Sequence, residues 1–428
     1  MEIKSLKPGT NAKLHTKTGD FECVILESPN PEIILVKLNS GYNIGIRQED
    51  ILDVKIMKGK ESKKEKNKPI KQNKNLKNIA LVVTGGTISS KLDYKTGAVK
   101  WLTDPEELLE FYPELLEIAN VKKITVPFMK ASENMDYKDW KLIAESVGKL
   151  CNDSSIDGII VTHGTDTLHY TASALSFALK NLNKPVVLTY SQRSSDRASS
   201  DARLNLMCSA RAAISDAAEV MLVGHASIND DFCYALLGTK VRKMHTSRRD
   251  TFRPINAEPL AKITPEKFEA FTSYRVKNNE KTGVRANFSG KVALVKFYPG
   301  QDPEIIDYYL KKGYKGLVVE MTGLGHVSTG ESSSNWIPYI KKAIKSGMTI
   351  CAAPQTIYGR LHPLTYSVGR ELEKTGIIYL KDMLSETAFV KLSWVLGDKI
   401  MSRDVKKNML KNYAREYSDY IKVEDFLN

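Results

Sequence analysis

DGIIVTHGTDTLHYTASAL, Asp157–Leu175, decides how the chain is read. It opens on a run of apolar, strand-forming residues, breaks at a glycine among polar residues, and passes into small and apolar residues with helical spacing that continues to Leu179. Strand, glycine turn, helix is the unit of a parallel sheet with crossover helices. The unit recurs on both sides. NIALVVT (78–84), PVVLTY (185–190) and EVMLVGH (219–225) are further strand candidates, and Tyr137–Leu150 carries the helical pattern. Past a Gly- and Asn-bearing connector at 273–290, a second series, KVALVKFY, KGLVVEM, MTICAAP and GIIYL, implies a smaller second α/β domain. No internal repeat of solenoid period is present.

The front of the chain obeys a different period. Residues 10–57 alternate apolar and polar positions in the short runs HTKTG, FECVILE, EIILVKL and YNIGI, separated by the turn formers SPNP and NSG. Such a segment suits a small SH3-like or OB-like barrel. Its aromatic residues, Phe21 and Tyr42, are too few for a base-stacking platform, which points to docking or spacing rather than RNA binding. The expected division is therefore a β-barrel domain at 1–57, a Lys-rich linker at 58–77, a large α/β domain at 78–272, the connector at 273–290 and a small α/β domain at 291–428.

Composition sets the outer limits. With 428 residues, 42% of them hydrophobic and 26% charged, and a mean hydropathy of −0.30, the chain is neither disordered, collagenous nor a polytopic membrane protein. The formal charge of +13 would suggest nucleic acid, but residues 58–77 hold nine lysines against two glutamates, so half of the excess lies in the linker, where a solvated connector is the plain reading. Lys406, Lys407 and Lys411 read likewise as a solvated face. Five widely spaced cysteines without C-x-x-C signal neither a disulfide framework nor a zinc knuckle. No apolar run nears the ~18 residues of a membrane span, and MEIKSLKPGT lacks an export signal, so a cytoplasmic location is expected.

In open parallel sheets ligands bind beyond the carboxyl ends of the strands. Two polar motifs fall there. TGGTISS, Thr84–Ser90, offers two glycines for a tight turn and then Thr87; it lacks phosphate-loop spacing, and by itself a structural turn explains it equally well. In the second motif Thr165 and Asp166 stand where a helix begins, where both are also ordinary N-caps. Capping does not explain why two strands of one sheet both end in threonine-bearing turns, an arrangement able to surround one small polar substrate. A threonine hydroxyl needs an adjacent base. His163 and His169 sit outside any H-E-x-x-H pattern and read as structural, whereas a lysine desolvated beside an acid and a hydroxyl can act as the base.

TGGTI followed by THGTDT resembles the bacterial-type L-asparaginase/glutaminase family, over roughly 78–428. The resemblance implies an α/β fold consisting of a small N-terminal β-barrel followed by a two-domain asparaginase-like parallel-sheet unit, acting on a side-chain amide. Matched motif to motif, it makes Thr87 the nucleophile and Thr165, Asp166 and Lys243 a proton relay. The lysine opens KMHTSRRDTFRPINAEPL, with Lys240 a nearby competitor three residues away. Ser132 and Glu133, in KASENMDYKDW, match the segment gripping the substrate's α-amino and α-carboxylate ends, and Tyr94, in LDYKTGAV, matches the mobile tyrosine. The second-domain glutamate of secreted asparaginases has no clear counterpart; the nearest segment is YSVGREL. The family implies no metal or cofactor in this chain and a homodimer through the asparaginase-like part.

The front β domain with its Lys-rich linker, SQRSSDRASSDARLNL (191–206) and SRRDTFRPIN resemble one branch, the GatD chains of archaeal-type glutamyl-tRNA(Gln) amidotransferases. That branch implies an amidase feeding ammonia to a partner, GatE, which binds Glu-tRNA(Gln) and activates it with ATP and Mg2+, the two chains forming a heterotetramer. A free-standing cytoplasmic L-asparaginase and a non-catalytic RNA-binding scaffold are the alternatives.

Overall fold

The computed structural model describes residues 6–40, 42–57, 73–92, 99–101, 112–194, 197, 199–330 and 332–426. At the front, strands Asn11–Thr16, Gly19–Ile25, Ile33–Leu38, Asn43–Arg47 and Ile51–Ile56 form one five-stranded antiparallel sheet in which the first strand lies between the second and the fifth. Alternation sends Ala12, Leu14, Cys23, Ile25, Val36, Ile46 and Ile51 into one apolar cluster. HTKTG straddles a hairpin: His15 and Thr16 end the first strand, Lys17 and Thr18 make the turn, and Gly19 begins the second strand, with the Thr16 hydroxyl closing the turn by donating to the Gly19 carbonyl at 2.7 Å.

The apolar runs of the next region become the middle of an eight-stranded sheet. From one edge its order is Phe268–Ala270, Ala261–Ile263, Cys233–Leu237, Val220–His225, Val186–Thr189, Gly158–Thr162, Asn78–Val83 and Asn120–Thr125. The last five are mutually parallel, and the first three extend the sheet antiparallel. Both faces of the strands Asn78–Val83, Gly158–Thr162, Val186–Thr189 and Val220–His225 are covered, which is why these four are apolar almost throughout, whereas the edge strand Asn120–Thr125 exposes Lys122 and Lys123. Ala80, Val82, Ile159 and Val161 face a core shared with helices Tyr137–Cys151 and Leu168–Ala178. Ile79, Leu81, Val83 and Ile160 face the opposite core, shared with helix Ala202–Ala213.

The second series of runs forms a four-stranded parallel sheet, Val292–Lys296, Gly316–Met321, Thr349–Pro354 and Ile378–Tyr379. Helices Glu304–Lys311 and Ile337–Lys345 contribute Ile306, Ile337 and Ile340 to one face. On the other face lies helix Ser385–Gly397, whose Trp394 stacks on Phe177 of the large domain at 5.6 Å between centroids. The two α/β domains thus share one apolar cluster, which includes Val318 and Cys351 beside Leu168 and Leu175.

Two buried ion pairs reinforce the junction. Lys240 Nζ meets Asp382 Oδ2 at 2.6 Å and the Ser418 hydroxyl at 2.9 Å, joining the large domain, the small domain and the C-terminal segment. Lys391 Nζ meets Glu416 Oε1 at 2.7 Å and also donates to the carbonyls of Met409 (2.7 Å) and Lys411 (2.6 Å). Burial pulls both lysines below the ordinary lysine range, opposed by the facing carboxylates. All five cysteines are free and buried. No described helix is long and apolar enough to cross a membrane.

Candidate active site

The parallel pairing of Asn78–Val83 with Gly158–Thr162 brings both threonine turns to the same end of the sheet, with Val83 opposite Thr162. Beyond the ladder, the Thr84 N–H and hydroxyl both donate to the Thr162 carbonyl, at 3.2 and 2.8 Å. Gly85 and Gly86 follow with φ of +122° and +87°. A β-carbon on Gly86 would lie 2.5 Å from the His163 carbonyl carbon and the Gly164 nitrogen, and one on Gly85 would lie 2.3 Å from the Lys130 oxygen. Backbone therefore rests directly on backbone, and only glycine permits it. Thr87 begins the next turn, Thr87–Ser89, immediately beside the second motif.

A third segment underlies both turns. Asp136 and Asp139 form a capping box at the start of helix Tyr137–Cys151, and Lys130 Nζ bonds Asp139 Oδ1 at 2.6 Å, so the intervening loop is tied at both ends. On it, buried Ser132 accepts the Asp166 N–H at its hydroxyl (3.2 Å) and the Thr167 hydroxyl at its carbonyl (2.7 Å). The helix N-cap is Thr167, not Thr165 or Asp166. Capping is thus not what those two side chains do.

They meet a lysine instead. Strands Val241–Lys243 and Phe252–Pro254 form a hairpin with Lys243 opposite Phe252, closed by the Met244 N–H donating to the Thr251 carbonyl at 2.7 Å. Phe252 packs edge-on against buried Tyr190 at 4.7 Å, and the Tyr190 hydroxyl donates to the Arg249 carbonyl at 2.8 Å. At the tip, Arg248 pairs bidentately with Asp250 at 2.8 and 2.9 Å, and Arg253 also reaches it. Against the burial that would raise it, these guanidinium groups hold the Asp250 carboxyl below its ordinary range. From this braced hairpin Lys243 Nζ donates to Thr165 Oγ1 at 2.9 Å and to Asp166 Oδ1 at 2.7 Å. The lysine side chain is 12% exposed and the Asp166 side chain 60%, so the amine is sheltered while the carboxylate is open to solvent. Lys240 points away to Asp382, so register as well as contact selects Lys243.

The structure brings Thr165, Asp166 and Lys243 into mutual contact, sets Ser132 beneath them and places Thr87 on the abutting turn. Glu133 is exposed on the turn Ser132–Asn134, and Tyr94 lies outside the described residues. Sequence reasoning missed Gln192, whose Oε1 accepts the Thr165 hydroxyl at 3.2 Å. It also missed Asp201, fully buried, whose carboxylate accepts the N–H groups of Gln192 and Arg193. Twenty-seven residues separate Thr165 from Gln192, and nothing local in the sequence pairs them.

The two histidines of the motif are buried and neutral. His163 Nδ1 lies 2.7 Å from the Gly164 carbonyl and Nε2 lies 2.9 Å from Thr171 Oγ1, while His169 Nδ1 has no hydrogen-bond partner among the described residues. Burial pushes His163 down to about 4; burial, aided by Arg242 and Lys243, pushes His169 to about 3. Both values lie below the ordinary 6.5, so the stability these groups lend is present above that pH and is lost as pH falls through the window from 6.5 to about 4 and 3. Each is expected to remove about 1.4 kcal/mol per pH unit within its window. Urea unfolding followed from neutral pH downward checks this, and His169→Phe should flatten the slope.

Matches to known proteins run along nearly the whole chain. Residues 78–275 match the N-terminal asparaginase domain, 291–409 the glutaminase/asparaginase C-terminal domain, and 6–57 the GatD N-terminal domain. Among solved structures, the thermostable L-asparaginase from Thermococcus kodakarensis superposes with a TM-score of 0.71 at 27% identity, covering 80% of this chain and 100% of that one. L-asparaginase I from Vibrio cholerae gives 0.68 at 27% identity, covering 80% and 99%. The glutamyl-tRNA(Gln) amidotransferase GatD chain of Thermococcus kodakarensis is 45% identical, covering 100% of this chain and 98% of that protein. Its counterpart in Pyrococcus furiosus is 46% identical, covering 95% and 93%. With an asparaginase-type α/β pair carrying the threonine turns and a GatD-type β domain ahead of it, the chain belongs to the GatD family of glutamyl-tRNA(Gln) amidotransferases.

Proposed function

We propose that the chain is the amidase component of a glutamyl-tRNA(Gln) amidotransferase, releasing ammonia from glutamine or asparagine for a partner that converts Glu-tRNA(Gln) to Gln-tRNA(Gln). The observation that carries the reading is the Lys243 ammonium bridging Thr165 and Asp166 at 2.9 and 2.7 Å, on a turn against which the Thr87 turn is packed. In this reading Thr87 Oγ attacks the side-chain carbonyl carbon, and backbone N–H groups of the turns receive the developing oxyanion. The Thr87 proton passes to Thr165 and on to Lys243, the C–N bond breaks as this relay returns the proton to the departing nitrogen, and water hydrolyses the Thr87 ester, restoring the hydroxyl and releasing glutamate or aspartate. Asp166 orients Lys243, and its exposed side meets the substrate's α-ammonium. Ser132 and Glu133 hold the substrate's α-ammonium and α-carboxylate ends, and Tyr94 is the mobile tyrosine near Thr87. The partner is a GatE-like kinase and transamidase using ATP and Mg2+; this chain needs no cofactor of its own, works in the cytoplasm and forms a homodimer within the complex.

Acid quenching during turnover, followed by peptide mass mapping, is expected to find a glutamyl or aspartyl ester on the peptide containing Thr87. An ester on the Thr165 peptide would reverse the roles of the two threonines. Ammonia release is expected to rise when the charged tRNA and the partner are both supplied. Equal rates with and without them would mark a free-standing asparaginase.

A further inference from the structure

A threonine hydroxyl carries one hydrogen and two lone pairs, so its contacts reveal where the hydrogen lies. Thr165 Oγ1 meets two side chains: Lys243 Nζ, donating from 2.9 Å, and Gln192 Oε1, an acceptor at 3.2 Å. The amide of Gln192 is oriented by its Nε2, which faces the Thr246 carbonyl at 3.5 Å. Its backbone is fixed by Asp201, whose carboxylate accepts the Gln192 N–H at 2.9 and 3.1 Å and the Ser191 hydroxyl at 3.0 Å. The arrangement reads N–H(Lys243) to O(Thr165), then O–H(Thr165) to Oε1(Gln192). It is complete only with a hydrogen on Lys243 directed at Thr165, and in it the Thr165 hydrogen points away from the base that must receive it.

We propose that Gln192 is a positioning residue that holds the relay unarmed. By accepting the Thr165 hydrogen it holds that hydrogen away from the Lys243 nitrogen. Arming requires Lys243 to release a proton to solvent and the Thr165 O–H to rotate from Gln192 Oε1 to the lone pair thus exposed on Nζ; the proton then passes from oxygen to nitrogen as Thr165 accepts one from the reacting group. The inference rests on the relay of the proposed function.

The test is glutamine hydrolysis by the full chain without partner or tRNA. Gln192→Leu removes the acceptor and is expected to raise kcat by about three- to tenfold, the worth of one neutral hydrogen bond. Gln192→Glu places an anion at the same point, strengthens the unarmed form and is expected to lower kcat by at least about tenfold. KM should stay within about twofold in both, and loss of packing alone would not move kcat in opposite directions. Gln192→Met, close to the native shape, should follow Gln192→Leu and decides the matter should the leucine variant fold poorly. If leucine and methionine both lower kcat, the brake is overturned while the relay stands. If Thr165→Val retains the parent rate, the relay itself fails, and the brake with it.

Discussion

Replacing Lys243 with methionine is expected to lower ammonia release from glutamine by about 10²- to 10⁴-fold, the span associated with a positioned proton-transfer group. The substitution fills the place of the lysine's aliphatic stem and lacks the amine that reaches Thr165 Oγ1 and Asp166 Oδ1. Asp166 is mostly exposed, so losing its cation leaves no buried charge and the fold should unfold at nearly the same urea concentration. The effect should fall on kcat, since a proton relay acts in the transition state more than in binding. Steady-state kinetics beside an unfolding curve decide it: a methionine variant keeping more than about a tenth of the parent rate removes Lys243 from the mechanism.

Lys240→Met is expected to do the reverse, destabilising the chain by about 3–5 kcal/mol, the usual consequence of stranding one member of a buried ion pair. Asp382 is fully buried and would keep the Ser418 N–H but lose the ammonium at 2.6 Å. Urea unfolding is the measurement, and Lys240→Met combined with Asp382→Leu should recover part of the loss. Unchanged stability in the single variant would mean that the pair contributes nothing. Two lysines three positions apart thereby separate into one that serves chemistry and one that serves the fold.

That separation marks the boundary of what the sequence reveals. The buried parallel strands are legible because they are covered on both faces and must be apolar at every position, as at Ile159–Val161. The first threonine turn is legible through its glycines, whose reason is visible in the contact of Gly86 with His163 and Gly164. The antiparallel strands Cys233–Leu237, Ala261–Ile263 and Phe268–Ala270 escape sequence reading, since two of them are three residues long and exist only because a neighbour offers a ladder. Lys243 is identified by motif alone. Its delivery depends on Phe252 against Tyr190 and on Asp250 between two arginines, contacts that no periodicity encodes. Gln192 escapes for the same reason, and Lys391, wholly buried, looks in sequence like any surface lysine.

The C-terminal segment passes between the domains and is gripped along its length, by Thr239 at Ala414, Lys391 at Glu416 and Lys240 at Ser418 as well as through Arg415 and Asp419. Such lacing makes the α/β halves interdependent, so calorimetry should record their melting as one cooperative event rather than two. It also ties them against a jaw-like opening.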